Sequence, residues 1–475
     1  MKKVLLVNSN TETAPYPVPP LGLCLVAGRA SRDYDVRVFD GHAAGGGGLA
    51  EALASFEPEY VGLGVRNIDD VVMAAPTYYV DEIAEAFVRP IRSYGRAKLF
   101  LGGAGFSVLP AELMARLGAD YGIVGEGEEA FAALLAALDR GADPLAIPGV
   151  VDGGGRAETA AIEPPRGRLA LPESRIDALI DFAPYRGRGS YPVQTKRGCA
   201  HECVYCAYPC IEGRAYRLRD PIEVVDEIAA TRARLGDVSV EIVDSTFNDP
   251  AGHAEAICAE IARRGLGVRL RTMGVNPAGV TDELVSLMRR AGFAQIDCTP
   301  DSGSPRVLAA LRKNFDRARL ERAATILSAH TMPTMWFFIL GGPGETRDTI
   351  RETFDFADRF VQPEDMVHVT TGVRIYPGTA LASRALDEGI IAKGQSLLPP
   401  TFYVSPALGR EALEAAVAEE IPSRPNCVPA AETAADPEMI REAMALRAEL
   451  GLDEPMFRSL LRVRRRRLRS PRSPS

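Results

Sequence analysis

Apolar residues in the first 140 positions come in short runs separated by longer amphipathic stretches. Lys3–Asn8 (KVLLVN) is the kind of run a parallel strand buries on both faces. Further strand candidates are Asp35–Asp40, Tyr60–Val65, Lys98–Leu101 and Tyr121–Val124. A helix pattern runs from Leu21 to about Ser31 after a Pro-rich loop, Thr13–Pro20, and helix-length stretches lie near 48–56, 78–94, 110–117 and 128–139. Five such units predict an open, doubly wound, Rossmann-like α/β domain over 1–140, with ligands beyond the carboxyl ends of its strands. Glycine and acidic residues gather at those ends: Gly41, Gly45–Gly48, Gly102-Gly103-Ala104-Gly105 and Gly125-Glu126-Gly127-Glu128.

From 141 to 189 the pattern breaks into Gly, Pro and Arg, which predicts a linker. A second alternation fills 190–405, with strands expected at Pro192–Lys196, Val238–Asp244, Val268–Thr272, Ala294–Cys298, Met335–Leu340 and Met366–Thr371. Six consecutive units predict a partial (β/α)6 barrel. Residues 406–461 read as helices broken by prolines. The last stretch, 462–475, holds seven arginines without periodicity and reads as a disordered basic tail.

A length of 475 residues fits two or three domains, and 46% hydrophobic with 25% charged residues is a globular composition. No apolar run approaches the ~20 residues of a membrane span, and Met1–Leu5 begins a strand rather than a signal peptide, so a cytoplasmic protein is expected. A net charge of −8 argues against nucleic acid as a partner. Of the eight cysteines, Cys199, Cys203, Cys206 and Cys210 fall within twelve residues. Such clustering in a long chain points to metal rather than to a disulfide scaffold. Cys199-Ala-His-Glu-Cys203-Val-Tyr-Cys206 places three thiols on one loop after the first barrel strand, enough for three corners of a cubane iron–sulfur cluster. A structural zinc site would need a fourth ligand and a second knuckle. Cys24, Cys258, Cys298 and Cys427 stand alone and read as small buried hydrophobes.

The Cys-x3-Cys-x-aromatic-Cys pattern, with Tyr205 as the aromatic, resembles the signature of the radical S-adenosylmethionine superfamily. The resemblance implies a 4Fe-4S cluster held by Cys199, Cys203 and Cys206, with one iron left open to S-adenosylmethionine and Cys210 not a ligand. It also implies cofactor contacts from Tyr205, from Asp244 and Ser245 after the second barrel strand, and from Arg271, which would end the third. Asp301 and Ser302 match the turn after the fourth strand, and Gly341, Gly342 and Glu345 match the Gly-rich turn behind the adenine. The residues alone also allow plainer roles: a helix cap for Asp301, a helix first turn for Glu345, and a surface arginine for Arg271.

The first domain resembles the cobalamin-binding domain of one branch of that superfamily, through Pro19–Leu23, Gly102-Gly103 and Gly125-Glu126-Gly127-Glu128. Asp40-Gly41-His42-Ala43-Ala44-Gly45 spells the Asp-x-His-x-x-Gly pattern of corrinoid proteins, but it follows the second strand instead of the first. The loop Asn8–Pro20 has no histidine, so cobalt is expected to lack a His ligand, with His42 at the corrin edge or in solvent. Val65-Arg66-Asn67-Ile68-Asp69-Asp70 resembles a segment of the subgroup related to the thiostrepton-pathway tryptophan 2-C-methyltransferase. The resemblance implies that Arg66 and Asn67 face cobalamin and that Arg66 lies near the lower face of cobalt; a loop ion pair with Asp69 or Asp70 is the alternative.

The implied activity is transfer of a methyl group from S-adenosylmethionine through cobalamin to a carbon of a small-molecule substrate. An electron donor such as flavodoxin or ferredoxin would serve the cluster. A cyclase or ring-rearranging enzyme with the same cofactors remains open, as does a corrinoid carrier or sensor with a structural cluster. A methylthiotransferase would need an N-terminal cysteine triad, and Cys24 stands alone there.

Overall fold

The computed structural model describes residues 1–13, 16–44, 48–154, 167–172, 174–434 and 437–469. Strand β1 (Lys3–Asn8) lies between β2 (Asp35–Asp40) and β3 (Tyr60–Gly64), and β4 (Lys98–Gly102), β5 (Tyr121–Ile123) and β6 (Val150–Asp152) follow. The sheet order is β2-β1-β3-β4-β5-β6, parallel except for the β5–β6 pair. Alternate residues feed two cores: Leu5, Val7, Val61, Leu63, Leu99 and Leu101 on one face, Val4, Leu6, Tyr60, Phe100 and Ile123 on the other. All five expected strands are present. Strand order reverses between β1 and β3, which opens a crevice at their carboxyl ends. Strand β6 falls inside the stretch read as a linker; three residues are too few to register as a period. Several expectations lie outside the described residues: Gly45–Gly47, residues 14–15 of the Pro-rich loop, 155–166 and 173 of the linker, and 470–475 of the tail.

Strand β7 (Tyr191–Val193) begins the second sheet. A short antiparallel ribbon, β8 (Lys196–Arg197) with β9 (Arg217–Leu218), then brackets the cysteine loop. The sheet continues through β10 (Ser239–Ile242), β11 (Arg269–Val275), β12 (Phe293–Asp301), β13 (Thr334–Leu340) and β14 (Met366–Thr371). Beyond it β15 (Val373–Arg374) pairs antiparallel with β16 (Phe402–Tyr403). β17 (Cys427–Pro429) adds a parallel edge, giving the order β7-β10-β11-β12-β13-β14-β17. The six expected barrel strands are all found, and the seventh comes from the segment read as helical. Local chemistry agrees with the helices between them: Asp220 caps Pro221–Leu235 by accepting from the Ile222 N–H at 2.8 Å, with Pro221 in the first turn. One segment crosses the expected boundary. Val373, Ile375, Leu381, Leu397, Leu398 and Tyr403, sequentially part of the barrel region, pack into the first domain's core.

The expected basic tail is corrected over 462–469, where the helix Met456–Arg469 continues. Its apolar residues Phe457, Leu460, Leu461 and Val463 pack with Met366, Val428, Met439 and Leu446. Its arginines find carboxylates, Arg458 on Asp365 at 2.9 Å and Arg462 on Glu454 at 2.9 Å. The run of arginines hid a stripe of only four apolar residues. No described helix is long and apolar enough to cross a membrane. Leu461→Ala is expected to cost about 2–3 kcal/mol in chemical denaturation, whereas Arg466→Ala on the exposed face should stay within about 0.5 kcal/mol.

Candidate functional site

The cysteine loop is built on a glycine. Gly198 has φ +90, and a Cβ there would lie 2.1 Å from the Ala215 carbonyl oxygen, so no other residue fits ahead of Cys199. The Cys199 N–H donates to Gly213 O at 3.1 Å, Val204 N–H to Leu311 O at 3.2 Å and Cys206 N–H to Cys203 O at 3.2 Å. These bonds fold the loop so that its thiols influence one another. Burial raises Cys206 to about 12 and raises Cys203 as well, and the neighbouring thiols add to the effect on Cys206, which Lys313 opposes. Three desolvated thiols on one loop suit a cationic cluster, which would compensate their charge as thiolates. Cys210 is exposed on the helix Tyr208–Glu212.

Of the residues expected around S-adenosylmethionine, Asp244, Ser245 and Asp301 are tied to this loop or its stem, and several of the side chains are occupied. Asp244 is fully buried against Lys196, 3.1 Å away, and accepts from the Thr195 N–H at 2.7 Å. It therefore braces the stem of the cysteine loop. Ser245 donates to Gly198 O at 3.2 Å. Asp301, left-handed at φ +65, accepts from the Tyr205 hydroxyl and from Lys313 Nζ at 2.7 Å; the cap of the following helix is Ser304. Ser302 is buried against Thr353 Oγ1 at 3.2 Å. Glu345 accepts from the Gly341 N–H at 3.2 Å and from Thr349, closing the Gly341-Gly342 turn, and burial pushes it up to about 7. Gly341 is required there: φ is +96 and a Cβ would lie 2.8 Å from Leu413. Asp301, Ser302 and Glu345 thus shape the strand-end turns with their side chains.

On the first domain, Arg66 and Asn67 line a small pocket with Ser9, Asn10 and Thr11, at the crevice between the β1 and β3 loops. Gly102 and Gly103 act behind them. The Val65 N–H donates to Gly102 O at 2.8 Å, and a Cβ on Gly103 would meet Val65 O at 2.6 Å. Gly125, φ +83, donates to Ser107 Oγ at 2.9 Å. Glu126, expected on the cobalamin side, clamps the first domain to the arginines of the ribbon. It accepts from Arg217 at 3.0 Å and pairs with Arg197 at 3.2 Å, while Glu128 holds Arg197 at 2.5 Å. Burial would raise Glu126, but the two guanidiniums outweigh it and lower it. His42 is tucked against Tyr185, ring centroids 4.9 Å apart, while Asp40 accepts from Tyr185 at 2.8 Å and Asn8 at 2.8 Å. Asp40 and His42 of the Asp-x-His-x-x-Gly lettering thus pack against Tyr185 beside the edge strand.

Sequence reading missed the inside of the barrel. Glu241, Arg271 and Gln295 are register partners on β10, β11 and β12; so are Asp297, Met335 and Met366, and Phe337 and His368. Arg271 does not end its strand, which runs on to Val275. It donates to Glu241 at 2.9 Å, and its guanidinium sits 3.7 Å from the centroid of the Tyr16 ring. Burial pushes Asp297 up to about 7 despite a 2.9 Å hydrogen bond from Gln295. Burial lowers His368 to about 4, with Phe337 4.9 Å away. Arg271, Asp297, Phe337 and His368 line a cavity of about 1050 Å3 that extends from Arg66 and Asn67 to Phe457. The available signal was a charged or polar residue at alternate positions of otherwise apolar barrel strands.

The comparisons with known proteins follow the same division. The radical SAM superfamily matches residues 193–357 and the B12 binding domain matches residues 8–135. Tryptophan 2-C-methyltransferase of Streptomyces laurentii is 26% identical over 72% of this chain and 67% of its own. An uncharacterized methyltransferase of Pyrococcus horikoshii is 26% identical over 82% and 84%. The structure of the radical S-adenosylmethionine methyltransferase TsrM of Kitasatospora setae, with tryptophan and a SAM analog bound, superposes with TM-score 0.81 over 100% of both chains at 24% identity, a likeness of fold. The two matches fall on the two halves in order, with the three thiols inside the radical SAM match, so the chain is similar along its length to cobalamin-binding members of the radical S-adenosylmethionine superfamily.

Proposed function

We propose that the protein is a cobalamin-dependent radical S-adenosylmethionine methyltransferase that methylates a carbon of a small-molecule substrate held in the barrel. The observation that carries this reading is the apposition of the two cofactor loops. The helix Tyr208–Glu212 after the cysteines packs on the helix Ala104–Val108 behind Arg66, and one cavity continues from the Arg66 loop into the barrel. Both curated relatives described above are methyltransferases.

When bound, the cluster, S-adenosylmethionine and cobalamin supply the electron and methyl-transfer chemistry. The chain supplies position and charge. Cys199, Cys203 and Cys206 hold the cluster, and Tyr205 is fixed through Asp301 and Lys313. The turns at Ser245 and Gly341-Gly342 present backbone to S-adenosylmethionine. Arg66 and Asn67 face cobalamin, with Gly102, Gly103 and Gly125 shaping the loops behind. Met335, Phe337 and His368 give the barrel a flat, polarizable wall, and Asp297 offers a buried acceptor. That combination suits a planar ring with an N–H or ammonium group, of which the tryptophan of the S. laurentii relative is an example. An external one-electron donor of the flavodoxin or ferredoxin kind completes the cycle.

Incubating the reconstituted, reduced protein with methyl-labelled S-adenosylmethionine and an indole-bearing substrate should place label on a ring carbon; cyclised product without label would contradict methyl transfer. Cys203→Ala should lose most of the iron bound after anaerobic reconstitution, and unchanged iron would contradict the cluster assignment. Asp297 sits about 7 in the folded chain against roughly 3.9 unfolded, so its ionisation withdraws stability as pH rises through that window. Asp297→Asn should therefore raise the melting temperature more at pH 7.5 than at pH 4.5; an equal gain at both would contradict the burial of this group.

A further inference from the structure

The Arg66–Asp70 loop carries one cation and two carboxylates, so an ion pair within the loop is the simplest expectation. The structure allocates the charges differently. Asp69 is fully buried and takes Arg374 Nε at 2.8 Å, across the junction between the domains. The other oxygen of Asp69 accepts the Val71 N–H at 3.0 Å. Arg374, itself 2% exposed, also donates to Ile375 O at 2.8 Å and Leu397 O at 2.7 Å. Asp70 accepts the Val72 N–H at 3.0 Å. Arg66 is exposed, makes no ion pair among the described residues, and lines the crevice and the large cavity. The loop is held on both flanks. Gly105 N–H donates to Val65 O at 3.1 Å and Tyr79 N–H to Ile68 O at 3.0 Å. A Cβ on Gly372 would lie 2.5 Å from Met73 Sδ, so the strand carrying Arg374 rides directly on this loop.

A buried carboxylate left without a counter-charge is strongly unfavourable and recruits whatever cation is within reach. On this loop that cation is Arg66. We propose that Arg374 is a positioning residue that sequesters Asp69 and thereby keeps the Arg66 guanidinium uncompensated and available to the ligand of the crevice. In its second half the proposal rests on the reading that cobalamin occupies that crevice; the charge allocation does not.

Two measurements test it. In the cluster-loaded protein without cobalamin, Arg66→Met should leave the melting temperature of the wild type within about 1 °C but lower that of Arg374→Met by about 2 °C or more, because Arg66 then pairs with Asp69. Equal effects in the two backgrounds would overturn the proposal. With hydroxocobalamin, followed by its absorption spectrum, Arg374→Met should weaken binding about tenfold, as Arg66→Met does, and Asp69→Asn/Arg374→Met should return to within about twofold of wild type. A double variant as weak as Arg66→Met would overturn the proposal, since a merely structural strut is not rescued by deleting both ends. If Arg374→Met does not fold, the double variant decides by the same criterion. A wild type that binds no cobalamin would contradict the proposed function, and the melting temperatures would still decide the charge allocation.

Discussion

The carboxylate of Asp69, on the loop after β3, and the guanidinium of Arg374, on the segment leaving the barrel, are both withdrawn from water and meet each other, backbone groups and, for Arg374, the ring of Tyr376 at 5.0 Å. The pair is satisfied in one relative placement of the two domains. Such a pair contributes less to stability than to specificity: removing one end leaves a charge stranded, whereas a shifted docking strands both. The apolar residues around it, from Val373 to Tyr403, belong to the first domain's core although they follow the barrel strands in sequence. The junction is therefore a shared core with one charged pin.

A second set of charges works from the opposite side of the cysteine loop. Glu126 and Glu128, at the end of β5, hold Arg197 and Arg217, the two arginines of the ribbon that brackets the loop. Beneath it, Lys196 and Asp244 form a fully buried pair. The stem of the thiol loop is thus braced by the first domain and by the barrel together. The backbone that carries the three thiols is therefore anchored at its stem by both domains.

Strands were legible because burial on both faces writes a continuous apolar run, as in β1, and because Gly, Pro and Asp punctuate the ends. The thiol loop was legible because three cysteines at that spacing have few structural uses. Asp244, Asp301, Ser302 and Glu345 sat in the right turns, but spacing could not tell a side chain facing a ligand from one tied to its own loop. Asp301 with Tyr205 and Lys313 shows the difference, since the partners lie 96 and 12 residues away. Arg197–Glu128 and Arg374–Asp69 join residues 69 and 305 positions apart, and no local pattern marks either. The helix ending at Arg469 went unseen because its arginines outnumber the residues it buries.

The central claim is that the thiol loop and the Arg66 crevice face one another as parts of a single site. Electron paramagnetic resonance of the reconstituted protein, with the cluster reduced and cobalt in the divalent state, tests this most directly. Two paramagnets held across this junction should interact, so the account predicts signals split or broadened relative to samples carrying one cofactor alone. A spectrum that is the plain sum of the two single-cofactor spectra would contradict it.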